Sequence, residues 1–136
     1  MANATTAYIV PRANVSQVWP GVANMVDEAY KFADEIMPHD MLDQLRSGHR
    51  QLWVVWNGEA VVAAVMTRII QLRSCRAVQI TAAGGSELGA WKDLITLIED
   101  YARAEGCRKV TIEGRPGWER LYKGYRRARV VIEREV

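Results

Sequence analysis

Only two cysteines, Cys75 and Cys107, occur in the 136 residues, too few and too far apart for a disulfide framework or a cysteine-based zinc site. Both read as packed free thiols of a reducing compartment. The two histidines, His39 and His49, have no metal-ligand spacing, so no metal is expected. Long apolar runs are also missing. The longest, Ala60 to Met66 continuing past Arg68 to Ile70, falls well short of the ~20 residues that a membrane-spanning helix needs, so no membrane partner is expected. The opening Met1-Ala2-Asn3-Ala4-Thr5-Thr6 carries neither the basic flank nor the apolar stretch of a secretory signal, which points to a cytoplasmic protein. No repeat of solenoid period, zinc finger, RNA-binding signature or basic heptad is present.

What is present is an ordinary globular composition, 49% hydrophobic and 25% charged, in a length that suits one domain spanning residues 1–136. The net charge of +2 is unevenly spread, with +5 on residues 108–136 and −3 on the rest. A basic tail of this kind attracts phosphorylated ligands, acidic proteins or nucleic acid by the same field, and it also suits a solvated helix and edge strand.

Hydrophobic periodicity predicts the elements in order. Tyr8-Ile9-Val10, stopped by Pro11, reads as an edge strand, β1. Val15, Val18, Val22, Met25, Val26, Ala29 and Phe32 recur at helical steps (α1), with Asn14 as a candidate cap and Pro20 acceptable only near the first turn. Met41 to Leu45 gives a short helix, α2, closed by Ser47-Gly48. Gln51 to Trp56 (β2), Asn57-Gly58 and Ala60 to Leu72 (β3) form a hairpin signal, the Asn-Gly pair predicting a type I′ turn. Arg76 to Ala82 alternates as a strand, β4, which Gly84-Gly85-Ser86 is expected to end.

Leu88, Trp91, Leu94, Ile95, Ile98, Tyr101 and Ala102 form a wide apolar stripe on a helix, α3, that stops at Gly106. Arg108 to Glu113 (β5) is expected beside β4 in parallel, because a strand-helix-strand crossover has a preferred right-handed return to the same sheet. That pairing would bring Cys75 and Cys107 near each other without a bond. A short aromatic helix from Trp118 to Tyr125 (α4) follows the turn Gly114-Arg115-Pro116-Gly117, and Val130 to Ile132 (β6) closes the chain.

This order, β1-α1-α2-β2-β3-β4-α3-β5-α4-β6, resembles the GNAT superfamily of acyl-CoA-dependent N-acetyltransferases. The segments Leu45 to Trp53 and Gly106 to Tyr125, with Glu-Gly-Arg-Pro-Gly-Trp-Glu-Arg in the second, are similar to small GNAT-like proteins encoded in tailed-phage and prophage genomes. The resemblance implies an α/β (α+β) domain with a mixed, mainly antiparallel sheet in which the parallel β4 and β5 splay apart. Acetyl-CoA would lie in that gap, its pantetheine arm against the backbone of Ile80, Thr81 and Ala82 and its pyrophosphate on the turn into α3.

The family's turn signature, Gln/Arg-x-x-Gly-x-Gly/Ala, aligned on Gly89, puts Ser86 where Gln or Arg belongs and Trp91 where a small residue belongs. Gly84 and Gly85 are candidates for a substitute phosphate nest. Arg115 is a candidate phosphate or carboxylate clamp, with a structural alternative in tying its turn to Glu113 or Glu119.

For the chemistry, the resemblance makes Tyr122 the candidate acid toward the departing thiolate, and Glu113 or Glu87 the candidate base. Packing, or pairing with arginine, is the alternative for each. Three functions stay open. The first is an N-acyltransferase acting on a small-molecule or protein amine. The second is a non-catalytic phage structural, internal-virion or assembly protein contacting phage or self subunits, in host cytoplasm or virion. The third is an acidic-partner or nucleic-acid binder using Arg126, Arg127 and Arg129.

Overall fold

A computed structural model describes residues 5–33, 40–85, 91–113, 124–128 and 132–136. Its elements are β1 (Thr6–Ile9), α1 (Val15–Ala33), α2 (Met41–Ser47), β2 (Gln51–Trp56), β3 (Val61–Gln71), β4 (Arg76–Gly85), α3 (Trp91–Ala104) and β5 (Lys109–Ile112). Among the described residues the sheet has five strands in sequence order; successive strands are antiparallel except β4 and β5, which run parallel. Expected α4 falls outside the described residues except for Gly124 and Tyr125, which are not helical. Of expected β6, only Ile132 is described, and it is exposed and outside any strand.

Alternation along the strands divides the core into two layers. Trp53, Val55, Val65, Val78 and Ile80 meet Leu94, Ile95 and Ile98 of α3 on one face. Leu52, Val54, Ala64, Met66 and Ala82 meet Val22, Val26 and Tyr30 of α1 and Leu45 of α2 on the other. Each large aliphatic side chain removed from water in these layers contributes ~1.5–3 kcal/mol before chain entropy is subtracted.

The helix ends follow from local chemistry. A 3-10 turn, Arg12–Asn14, runs directly into α1, so the helical path begins one turn before the expected cap at Asn14. Pro20 lies inside α1, deeper than the first turn to which sequence reasoning confined it. The residue is exposed, so the carbonyl that it leaves without an amide donor can face water. Gly106, at φ +75°, closes α3: its amide donates to the Arg103 carbonyl and the Cys107 amide to the Ala102 carbonyl at 2.8 Å, a paired C-terminal cap that needs the left-handed backbone.

The β2–β3 connection differs from the two-residue turn expected of Asn-Gly. Trp56 pairs with Val61, leaving Asn57 to Ala60 as the loop. Asn57 Oδ1 accepts hydrogen bonds from the amides of Glu59 and Ala60, each at 2.9 Å. The asparagine thus closes a wider loop with its side chain and with its amide, which donates to the Ala60 carbonyl at 3.1 Å. Cys75 and Cys107 are both free thiols, Cys107 being buried.

Candidate cofactor cleft

Pairing between β4 and β5 starts at Ala77↔Lys109 and ends at Ile80↔Ile112, with a last hydrogen bond from the Glu113 amide to the Ile80 carbonyl at 3.2 Å. Beyond that point β4 continues to Gly85 while β5 has ended. Among the described residues, nothing pairs with the β5-facing edge of β4 from Thr81 onward. The result is a short stretch of open strand edge between two strands that are joined below it.

A β-bulge sits where the strands part. Met66 pairs with Ala82 and Thr67 with Ile80, so Thr81 is the extra residue of β4. Ile80 projects into the α3 layer, whereas Ala82 and Thr81 both project toward α1, as a bulge requires. Ile80, Thr81 and Ala82 are all buried, 2%, 0% and 5% exposed. Their side chains are committed to the two core layers, and what this stretch has to give a ligand is its main chain. That donor set fits an extended, amide-bearing arm laid along a strand edge.

Thr81 is tied down by an interior polar cluster that sequence reasoning missed. Its Oγ1 lies 3.0 Å from the Tyr30 hydroxyl and donates to the Met66 carbonyl at 3.3 Å. Arg50, 6% exposed, donates from Nη1 to both Thr81 Oγ1 (3.1 Å) and Tyr30 Oη (2.9 Å), and from Nε to Gln44 Oε1 at 2.7 Å. An arginine directly before an apolar strand reads as a surface residue in sequence, and no spacing rule marks it as interior. Tyr30 sits one residue from the helical stripe assigned to α1, and its phenol gave no further signal.

Gly84 and Gly85 do not end the strand. Gly84 pairs with Ala64 and Gly85 with Ala63. A side chain on Gly84 would place its Cβ 2.7 Å from the Met25 carbonyl, so this glycine lets the α1 backbone press onto β4. Gly85 has φ +123°, and a Cβ there would run into the Val62 carbonyl. The sequence signal of a glycine pair was real, but its cause is close approach between backbones within a paired strand. A free loop at these two positions, as a phosphate nest would use, is therefore corrected to strand.

Glu113 follows β5 directly, is exposed, and by continued alternation shares the α1 side of the sheet with Thr81. Thr111, two residues earlier on that side, has a buried hydroxyl without a hydrogen-bond partner, an uncommon state for an interior polar atom. Ser86, Glu87, Gly89, Arg115 and Tyr122 lie outside the described residues, and Trp91 is the first residue of α3.

Part of the basic tail lies elsewhere. A cavity of about 400 Å³ on the far side of β5 is lined by Arg103, Arg108, Lys109 and Arg126 together with Glu99. Tyr125 closes one wall of it, with its hydroxyl donating to Glu99 Oε2 at 3.0 Å.

Among the described residues no cluster of histidine, cysteine or carboxylate side chains could hold a metal ion, and no helix is long and apolar enough to cross a membrane.

No protein-family model and no curated protein sequence matches the chain. Solved structures do. An aminoglycoside acetyltransferase from an uncultured soil metagenomic sample, crystallised with trehalose, superposes with a TM-score of 0.73 at 9% identity, covering 97% of this chain and 96% of that one. The ribosomal-protein-alanine N-acetyltransferase of Brucella melitensis biovar Abortus gives 0.64 at 17% identity over 96% and 99% of the two chains. A GNAT family acetyltransferase of Staphylococcus aureus gives 0.63 at 10% identity over the full length of both. The mixed sheet, the parallel β4–β5 pair and these superpositions together establish that the chain has the fold of the GNAT acetyltransferases.

Proposed function

We propose that the protein is an acetyl-CoA-dependent N-acyltransferase whose donor lies in the opening between β4 and β5. The observation that carries this reading is the end of strand pairing at Ile80↔Ile112 while β4 runs on, bulged at Thr81, with Thr81 and Ala82 buried and, among the described residues, nothing paired with its outer edge. The structural neighbours named as acetyltransferases support the same reaction class.

On this reading, the main chain of Thr81 and Ala82, just past the paired Ile80, pairs with the amides of the pantetheine arm, fixing the thioester at the mouth of the slot. The start of α3, with Ser86 and Gly89 shortly before it in the sequence, receives the pyrophosphate, aided by the helix dipole. Gly84 and Gly85 carry paired β4 up to this end, and Arg115 supplies a compensating positive charge. The bound thioester supplies an electrophilic carbonyl carbon.

Glu113 takes the proton of the incoming amine, directly or through a water, as its nitrogen bonds to that carbon. As the carbon–sulfur bond breaks, Tyr122 gives its proton to the departing thiolate. The acceptor is an amine of a small molecule or a protein, entering from the α1–α2 side.

Isothermal calorimetry of the full chain with acetyl-CoA tests this. Saturable binding that desulfo-CoA or free CoA competes away is expected, together with release of free thiol when an amine panel is supplied. The absence of any heat or thermal shift at millimolar acetyl-CoA would overturn the proposal. It would leave the domain as a non-catalytic GNAT-like module, for which association with virions or a stable self-assembly is the matching measurement.

A further inference from the structure

Arg50 is the charged residue with the least exposure among the described residues, and its guanidinium donates to the hydroxyls of Tyr30 and Thr81. Apolar side chains commonly fill the volume of a buried charged group with equal or greater stability. Its placement calls for a geometric reason. Arg50, Tyr30 and Thr81 form a closed triangle with edges of 2.9, 3.0 and 3.1 Å. The three corners come from the start of β2, the second half of α1 and the bulge of β4. Gln44 of α2 holds the guanidinium from behind at 2.7 Å. The remaining Thr81 bond, to the Met66 carbonyl, crosses the bulge itself.

A bulged residue has lost its own place in the ladder, so the hydrogen bonds of its side chain are what remain to hold it in place. Here the holder is a planar, rigid fork that does not change charge in the physiological range. We propose that Arg50 is a positioning residue that, through Tyr30 and Thr81, fixes the β4 bulge. It thereby sets the direction of the main-chain groups of β4 just past the last paired residue, Ile80. The consequence for binding rests on the acyltransferase reading above; the consequence for the bulge does not. Because α1 and α2 make up the layer from which the acceptor would enter, the same triangle ties that layer to the strand that would hold the donor.

The test uses the full-length chain and the variants Thr81→Val, Thr81→Ser, Tyr30→Phe and Arg50→Met, each checked first for cooperative unfolding. Valine has the shape of threonine without its hydroxyl, so it removes the triangle's corner with little change in volume; serine restores the hydroxyl. Amide hydrogen exchange is read at residues 80–85, and acetyl-CoA affinity by calorimetry.

Thr81→Val and Arg50→Met are expected to speed exchange at the bulge by tenfold or more. They are also expected to weaken acetyl-CoA about tenfold while leaving exchange in α3 unchanged, with Thr81→Ser close to wild type. The Arg50→Met/Thr81→Val pair is expected to be no worse than either single change, because both remove the same contact. Wild-type exchange at residues 80–85 in folded Thr81→Val and Arg50→Met would overturn the proposal, whatever the affinity. Should Arg50→Met fail to fold, Tyr30→Phe and Thr81→Val decide alone. If wild-type protein does not bind acetyl-CoA, the acyltransferase reading falls while the exchange measurement still decides the role of Arg50.

Discussion

The two faces of the sheet solve the same burial problem with different chemistry. On the α3 face, apolar side chains meet apolar side chains. Its few polar atoms are satisfied within the strands, as where Trp53 Nε1 donates to Thr67 Oγ1 at 3.0 Å, and Trp53 also meets Tyr101 edge to face at 5.3 Å. The α1 face buries a comparable set of aliphatic groups but interrupts them with a guanidinium, a phenol and a threonine hydroxyl. It also has a glycine where helix and strand backbones touch. The first arrangement maximises apolar burial with few orientational demands. The second fixes where backbone atoms sit, which is what an open strand edge needs if it is to be read by a ligand.

The contrast breaks most visibly at Ile98, which is fully buried at the centre of the α3 layer. Ile98→Ala removes three carbons from a packed interior and is expected to cost ~2–5 kcal/mol in urea unfolding. A loss below about 1 kcal/mol would mean that the α3 layer collapses around the cavity, so that its stability does not rest on close apolar packing at this site.

Next in size is a pair of glycines on the other face. Gly84→Ala forces Cβ toward the Met25 carbonyl, a backbone atom that cannot rotate away. Separation of α1 from β4 is expected to cost ~1–3 kcal/mol. Gly21→Ala, in the same helix contact system but with nothing within 4 Å of the added carbon, is expected to stabilise by ~0.5–1 kcal/mol through helix propensity. Denaturation of the two variants side by side separates close approach from generic glycine flexibility: equal effects would refute the steric account.

The layers were legible in the sequence wherever burial follows a period. The stripe from Leu94 to Ala102 gave α3, and Val22 and Val26 gave the buried side of α1. The strand-helix-strand order gave the parallel β4–β5 pair, and the resemblance to GNAT proteins implied the opening beside Thr81 and Glu113. What escaped was chemistry that depends on three-dimensional neighbours. The role of Gly84 depends on a helix fifty-odd residues earlier in the chain, and the burial of Arg50 depends on Tyr30 and Thr81, neither of which is near it in sequence. The bulge at Thr81 has no residue signature, because the alternation of Val78, Ile80 and Ala82 is the same with or without an inserted residue. Asn57-Gly58 located its loop correctly but not the loop's length, since the asparagine side chain competes with the backbone for the closing hydrogen bonds.

The smallest effect distinguishes the two cysteines at the margin of the α3 layer. Burial pushes the Cys107 thiol above its ordinary 9.0; Glu105 and Cys75 push the same way, while Arg76 opposes them. Tyr101 nearby is raised above 10.0, again chiefly by burial. Both groups are neutral when protonated, so a raised value means that the fold favours the protonated form. Their contribution is intact below the unfolded-state values and declines as pH rises through the folded ones. Stability is therefore expected to fall as pH climbs above 9.0, and Cys107→Ala should flatten the thiol's part of that decline. Under native conditions near neutrality, iodoacetamide should label the half-buried Cys75 and reach Cys107 only when the chain opens, because the thiolate is the reactive species. Equal labelling rates before any denaturant is added would show that the end of α3 and the start of β5 separate readily. Apolar burial would then not hold the α3 face closed at this edge.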